Sequence, residues 1–228
     1  MNFYELTLPQ ENIYYDNIQH PDTPLYTLSG LCSISGDFNI ELFKQSIAIL
    51  VERTDAFRTV FCEIEGRPFQ KILGKEEYSF DVPIIDFSGE QNPYETALKF
   101  TLESSLENII NDNDSLLFEF RIFILGNNSF AWMVKYHHLI MDSYAQTILS
   151  RKAAEIYNSF LKKRSINEVE FCQYSDFVKD DLFYRKSGEF EADRQYWLNA
   201  IGNPPELIYT LTNKLSVNSK QLKIHLNH

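Results

Sequence analysis

The segment from Leu116 to Gln146 reads "LLFEFRIFILGNNSFAWMVKYHHLIMDSYAQ". Its first ten residues and the run Ser129–His138 are rich in aromatic and aliphatic β-formers, and Gly126-Asn127-Asn128 sits between them. Two such runs joined by residues that accept positive φ predict a β-hairpin. Successive strand residues point to opposite faces, so Phe118, Phe120, Ile122 and Ile124 share one side of the first strand. The second strand ends in His137 and His138. The same alternation lets only one of the two imidazoles face a given cavity.

Working outward, "SYAQTILSRKAAEIYNSFLK" after the hairpin has the period of an amphipathic helix, with Ile148, Ile156, Tyr157 and Phe160 inward. Lys162-Lys163-Arg164 would form its last turn, where cations suit the helix dipole. Upstream, "PLYTLSGLCSIS" predicts a strand and "NIELFKQSIAILVERTD" a helix capped by Asn39. "FRTVFCEIEGRPFQKIL" predicts two strands joined at Glu65-Gly66, and "SFDVPIIDFS" a shorter extended piece. Asn92-Pro93 opens a helix expected to reach about Ile110. Downstream, two helices break near Ser187-Gly188, Pro204-Pro205 ends that region, and "QLKIHL" predicts a last strand. The order of elements predicts an α/β protein, a two-layer α/β sandwich in which helices cover a mixed β-sheet.

The chain has 228 residues and a net charge of -11. That charge argues against a duplex-binding surface, which needs a Lys/Arg excess. Cys32, Cys62 and Cys172 have no metal-site spacing, and their odd number fits a reducing cytoplasm. No apolar run approaches the ~18 residues of a membrane span, and no apolar leader follows Met1. A cytoplasmic protein without membrane or nucleic-acid partners is expected.

Two readings of His137-His138-x3-Asp142 compete. Ser143 with Gln146 has the form of a capping box, with Asp142 as a neighbouring cap, which would make the whole stretch a strand end and a helix start. Alternatively, an imidazole that exchanges protons near neutrality is held in place by an acid one turn away. A metal site lacks a third ligand, because His20, His225 and His228 lie near the termini. No G-x-S-x-G and no phosphate-cradling glycine loop is present.

At this point "YHHLIMDS" resembles the HHxxxDG motif of the condensation domains of nonribosomal peptide synthetases, within the chloramphenicol-acetyltransferase-like superfamily. His137, His138 and Asp142 match, and Ser143 stands where the family has Gly. "LTLPQENIYY" is similar to the first family motif through Leu6, Gln10 and Tyr14 or Tyr15, with Asn12 in place of an arginine. "RTDAFRTVF" resembles RHExLRTxF through Arg53, Arg58, Thr59 and Phe61, while Thr54 and Asp55 replace His and Glu. "YSDFVKDDL" and "RQYWLNAI" resemble the fourth motif and the helix after it.

The resemblance implies a half domain of the chloramphenicol-acetyltransferase-like fold: residues 1–228 would be the N-terminal subdomain, its C-terminal partner half missing. It implies an acyltransferase that forms an amide between an acyl thioester and an amine. Both substrates would hang on phosphopantetheine arms of donor and acceptor carrier proteins, and the domain itself would bind no cofactor and no metal. His138 would be the catalytic residue, as base or as hydrogen-bond acceptor, and His137 structural. Asp142 would pair with an arginine, Arg58 first and Arg53 second. Ser143, in place of glycine, would narrow the path of a pantetheine arm. Alternatives on the same scaffold are epimerisation, acyl transfer from coenzyme A, or a non-catalytic carrier-docking module. Heterocyclisation is disfavoured, because its core motif has aspartates where His137 and His138 stand.

Overall fold

The computed structural model describes residues 3–21, 23–109 and 115–202. They fall into two compact units, Met1–Arg185 and Lys186–His228. The expected strand "QLKIHL", the Pro204-Pro205 pair and position 110 lie outside the described residues.

The expected hairpin forms β6 (Phe118–Gly126) and β7 (Ser129–His137). Asn127 and Asn128 have φ of 49° and 54°, the left-handed pair that a two-residue turn needs to match strand twist. β2 (Thr27–Ser35) pairs antiparallel with β7 along its whole length, and β5 (Ile84–Asp86) pairs parallel with β6. The result is a mixed four-stranded sheet in the order β2-β7-β6-β5. β1 (Phe3–Glu5), β4 (Arg67–Ile72) and β3 (Thr59–Ile64) build a separate antiparallel sheet that the sequence pattern does not foreshadow. The β3-β4 turn is the expected one, with Glu65 and Gly66 at φ of 51° and 77°.

α1 (Leu8–Gln19) starts from a capping box between Thr7 and Gln10. α2 (Ile40–Arg53) is capped by Asn39, whose side chain accepts from the Leu42 N–H at 3.0 Å. Its Phe43, Ile47, Leu50 and Val51 pack with Phe120, Ile122, Trp132, Val134 and Tyr136 of the sheet. α4 (Ser143–Leu161) covers the same face through Ala153 and Ile156. α3 (Pro93–Ser105) lies on the opposite face, where Ala97 and Phe100 meet Phe123, Leu125, Ala131 and Met133. The α/β class, with helices on a mixed sheet, is the expected one; the helix on the second face is an addition.

Two helix ends differ from expectation. α3 stops at Ser105, short of Ile110: the Ser105 hydroxyl donates to the Leu102 carbonyl, one of the local bonds with which serine competes against helix continuation. α4 stops at Leu161, so Lys162-Lys163-Arg164 follows the helix rather than forming its last turn. Lys163 takes φ of 51°, and the N–H groups of Lys163 and Arg164 return to the carbonyls of Phe160 and Ser159, a Schellman closure built without glycine. α5 (Tyr174–Arg185) completes the first unit. In the second, α6 (Gly188–Ile201) begins at the expected break, where the Ser187 hydroxyl accepts from the Phe190 N–H at 3.3 Å.

Candidate active site

β7 brings both histidines to one end of the sheet, where His137 closes the strand and His138 opens the turn after it. His137 is the last strand residue and is fully buried. Its Nδ1 accepts the Leu139 N–H at 3.1 Å, which assigns the proton of the neutral ring to Nε2. Burial, and secondarily the adjacent His138, push the His137 pKa down to about 4, so the ring stays neutral at physiological pH. His138 sits in the turn that follows, its N–H donating to the Tyr26 carbonyl at 2.8 Å. It lines a cavity of about 740 Å³ whose wall is mostly apolar, with Ile13, Met141, Leu149 and Phe171 among its members. The structure thus places His138 at a cavity and His137 in the interior.

Asp142 and Ser143 lie at the mouth of the next helix. Asp142 is the N-cap of α4, its carboxylate accepting from the Ala145 N–H at 2.7 Å. Ser143 is the first helical residue and is exposed. The cap is therefore Asp142, as the helix-start reading allowed, while the Ser143-Gln146 box of that reading does not form. Gln146 instead accepts the Tyr136 O–H at 2.9 Å. Burial pushes that phenol up to about 12.

The expected pairing of Asp142 with Arg58 or Arg53 is not formed. Arg58 closes the short helical turn Asp55–Arg58, and from there its guanidinium donates to the Leu73 carbonyl. Arg53 donates to the Ile166 carbonyl at 2.9 Å and to Asn167 Oδ1 at 2.8 Å. Each guanidinium serves a loop near its own helix end, and the Asp142 carboxylate is satisfied by a helix terminus.

Two residues that sequence reasoning left without a role shape the site. Asp55, which replaces a glutamate of the family pattern, is buried and accepts the N–H groups of Tyr174 and Ser175 at 2.6 and 2.8 Å. It caps α5 from a distance of more than a hundred residues along the chain, and Gln173 donates back to the Arg53 carbonyl at 3.0 Å. These bonds fix the wall segment that carries Phe171 and Tyr174. Gln10 is buried under the turn after His138 and donates to the Leu139 carbonyl at 3.1 Å. Its match to the first family motif singled it out in the sequence, and its place at N3 after Thr7 gave a second signal.

Among the described residues, no three His, Cys, Asp or Glu side chains cluster as metal ligands, and no helix is long and apolar enough to cross a membrane.

The condensation-domain family model matches residues 1–225. The chain is 27% identical over 205 residues to the dimodular nonribosomal peptide synthase of Bacillus subtilis (strain 168), covering 90% of this chain and 8% of that protein. It is 29% identical over 207 residues to bacitracin synthase 3 of Bacillus licheniformis, covering 90% of this chain and 3% of that protein. Among solved structures, the starter condensation domain of rhizomide synthetase superposes with a TM-score of 0.81 at 20% identity, over 89% of this chain and 50% of that one. The first condensation domain of the calcium-dependent antibiotic synthetase gives 0.79 at 21% identity, over 90% and 49%. This chain therefore spans about half of each of those two solved chains, and only a small part of the synthetases. With the histidine pair at the end of β7 and a family model matched along nearly the whole sequence, the chain belongs to the condensation-domain family of nonribosomal peptide synthetases.

Proposed function

We propose that this chain is the histidine-bearing N-terminal half of an amide-forming condensation domain, and that its C-terminal half supplies the facing wall of the cavity. A donor acyl group and an acceptor amine arrive as thioesters on the phosphopantetheine arms of two carrier proteins. The amine nitrogen attacks the donor carbonyl, a C–N bond forms, the C–S bond breaks, and the donor thiol leaves with a proton. His138 accepts a hydrogen bond or a proton from the attacking amine. General-base help of this kind is worth ~10²–10⁴-fold, and positioning alone contributes on a comparable scale. His137 holds the turn, and Asp142 orients α4 at the cavity mouth. No cofactor belongs to the chain itself, since pantetheine is part of the carriers. The cysteines Cys32, Cys62 and Cys172 are free thiols, which fits the reducing cytoplasm where such synthetases would work.

One observation carries the reading: of two adjacent imidazoles, His138 lines the cavity and His137 is sealed inside. The test combines the complete domain with acyl- and aminoacyl-loaded carriers and follows amide product by mass spectrometry. His138→Ala should lose product while carrier binding persists. Undiminished condensation by His138→Ala would overturn the catalytic role. Carrier binding without any product from the wild type would support a docking module instead.

A further inference from the structure

The backbone around His138 is held by three hydrogen bonds that leave little freedom to the residue between them. The His138 N–H donates to the Tyr26 carbonyl at 2.8 Å. The Leu139 N–H donates to His137 Nδ1 at 3.1 Å, and the Leu139 carbonyl accepts from Gln10 Nε2 at 3.1 Å.

Gln10 comes from α1, and both ends of its amide are committed. Nε2 donates to Gln70 Oε1 at 3.1 Å as well as to Leu139, while Oε1 accepts from Gln70 Nε2 at 2.9 Å and from the Thr7 N–H at 3.0 Å. Gln70, on β4, also donates to the Glu5 carbonyl at 3.0 Å. The two glutamines therefore form a reciprocal amide pair, only 3% and 1% exposed, that anchors the His138 turn to the three-stranded sheet. Filling this junction for stability alone would need only apolar volume. Two buried amides cost desolvation, and the bonds they make offset it only when the geometry is fixed.

The same helix reaches the other flank of His138. Six residues beyond Gln10, the Asp16 carboxylate accepts the Tyr26 O–H at 2.8 Å, and Tyr26 is the residue whose carbonyl takes the His138 N–H. We propose that α1 is a positioning clamp for His138, with Gln10 acting through the Leu139 carbonyl and Asp16 acting through Tyr26. The proposal rests on the reading that His138 is the group that meets the substrates.

Three variants test it: Gln10→Met, which keeps volume and loses both N–H donors; Asp16→Ala, which loses the acceptor; and Asp16→Asn, which keeps an acceptor without charge. Each is measured for kcat and KM in the complete domain with loaded carriers. The His138 ring resonances of the chain are followed by NMR, assigned with His138→Ala. Gln10→Met should lower kcat about 10²-fold, the scale of a small misplacement, with KM unchanged within about twofold. Asp16→Ala should lower it several-fold, and Asp16→Asn should restore most of that loss. The His138 resonances should move with kcat; His20 is set aside, because its ring also lies 3.6 Å from Asp16. If Gln10→Met does not fold, Asp16→Ala, at a half-exposed site, carries the test. Folded Gln10→Met and Asp16→Ala proteins with native His138 resonances and native kcat would overturn the clamp. Shifted resonances in a domain whose wild type makes no amide would uphold it, and would remove the catalytic reading instead.

Discussion

The two faces of β7 carry different chemistry within nine residues. Toward α2 and α4 it presents Trp132, Val134 and Tyr136, an apolar face closed by one phenol whose O–H is taken by Gln146. Toward α3 it presents Ala131 and Met133, then the buried ammonium of Lys135 and the buried ring of His137. Lys135 is 1% exposed and reaches the carboxylates of Glu119 at 3.5 Å and Glu107 at 3.8 Å. The first face holds the fold by packing, and the second places titratable groups where protonation and pairing matter. Past the end of the strand, His138 leaves both faces and enters the cavity.

The largest effect should come from the residue that escapes the sheet. His138→Ala should lower amide formation by ~10²–10⁴-fold with stability changed by less than ~1 kcal/mol, checked by product assay and urea unfolding on the same preparation. A stability loss of several kcal/mol would make His138 a core residue and dissolve the contrast with its neighbour.

Acid should act through His137. An unfolded imidazole titrates near its ordinary 6.5 and the folded one near 4, so the unfolded chain binds the extra proton between those values. The neutral ring's contribution is complete above pH 6.5 and is lost as pH falls toward 4, roughly 3 kcal/mol across that window. Urea midpoints measured over this range should fall steeply for the wild type, and His137→Gln should flatten the curve. Parallel curves would remove His137 as the cause.

Lys135 sharpens the same face. Glu119→Leu leaves the ammonium, among the described carboxylates, only the exposed Glu107 and should cost about 2 kcal/mol, whereas Lys135→Met removes the buried charge and should stay within about 1 kcal/mol of wild type. Equal losses from both would mean that the pair holds the face together rather than being tolerated there.

The smallest effect belongs to the apolar face. A Cβ at Gly30 would lie 2.3 Å from Gln146 Nε2. Gly30→Ala should therefore swing that side chain away, free the Tyr136 O–H, and cost about 1 kcal/mol in thermal unfolding. A silent substitution would show that Gln146 has a second comfortable position.

What was readable in the sequence was local. Asn127-Asn128 specifies its own turn, and the two-residue period of β7 puts His137 on the face of Met133 and Lys135, while His138 falls in the turn past the strand end. The arginine expected beside Asp142 was not readable in this way, because the reach of a guanidinium depends on where its loop docks. Arg58 ends at Leu73 and Arg53 at Ile166 for reasons of tertiary packing. Gln10 and Gln70 stand sixty residues apart, and nothing in either neighbourhood announces a partner. The burial of Lys135 was not readable either, because it depends on what packs over that face of β7. Asp55 looked like a departure from the family pattern, and only the placement of α5 shows its carboxylate serving as a helix cap.

The turn that carries His138 has one more consequence, and it concerns entropy. Fixing a backbone residue costs on the order of 1–2 kcal/mol of conformational freedom, and a site that orders only when its ligand arrives must draw that cost from binding. Here the peptide groups on both sides of His138 are bonded within the protein, to Tyr26, His137 and Gln10. The ordering is part of the fold itself, so on the proposed function tethered substrates would meet an imidazole whose backbone is already set, and their weak contacts would not be spent on arranging it.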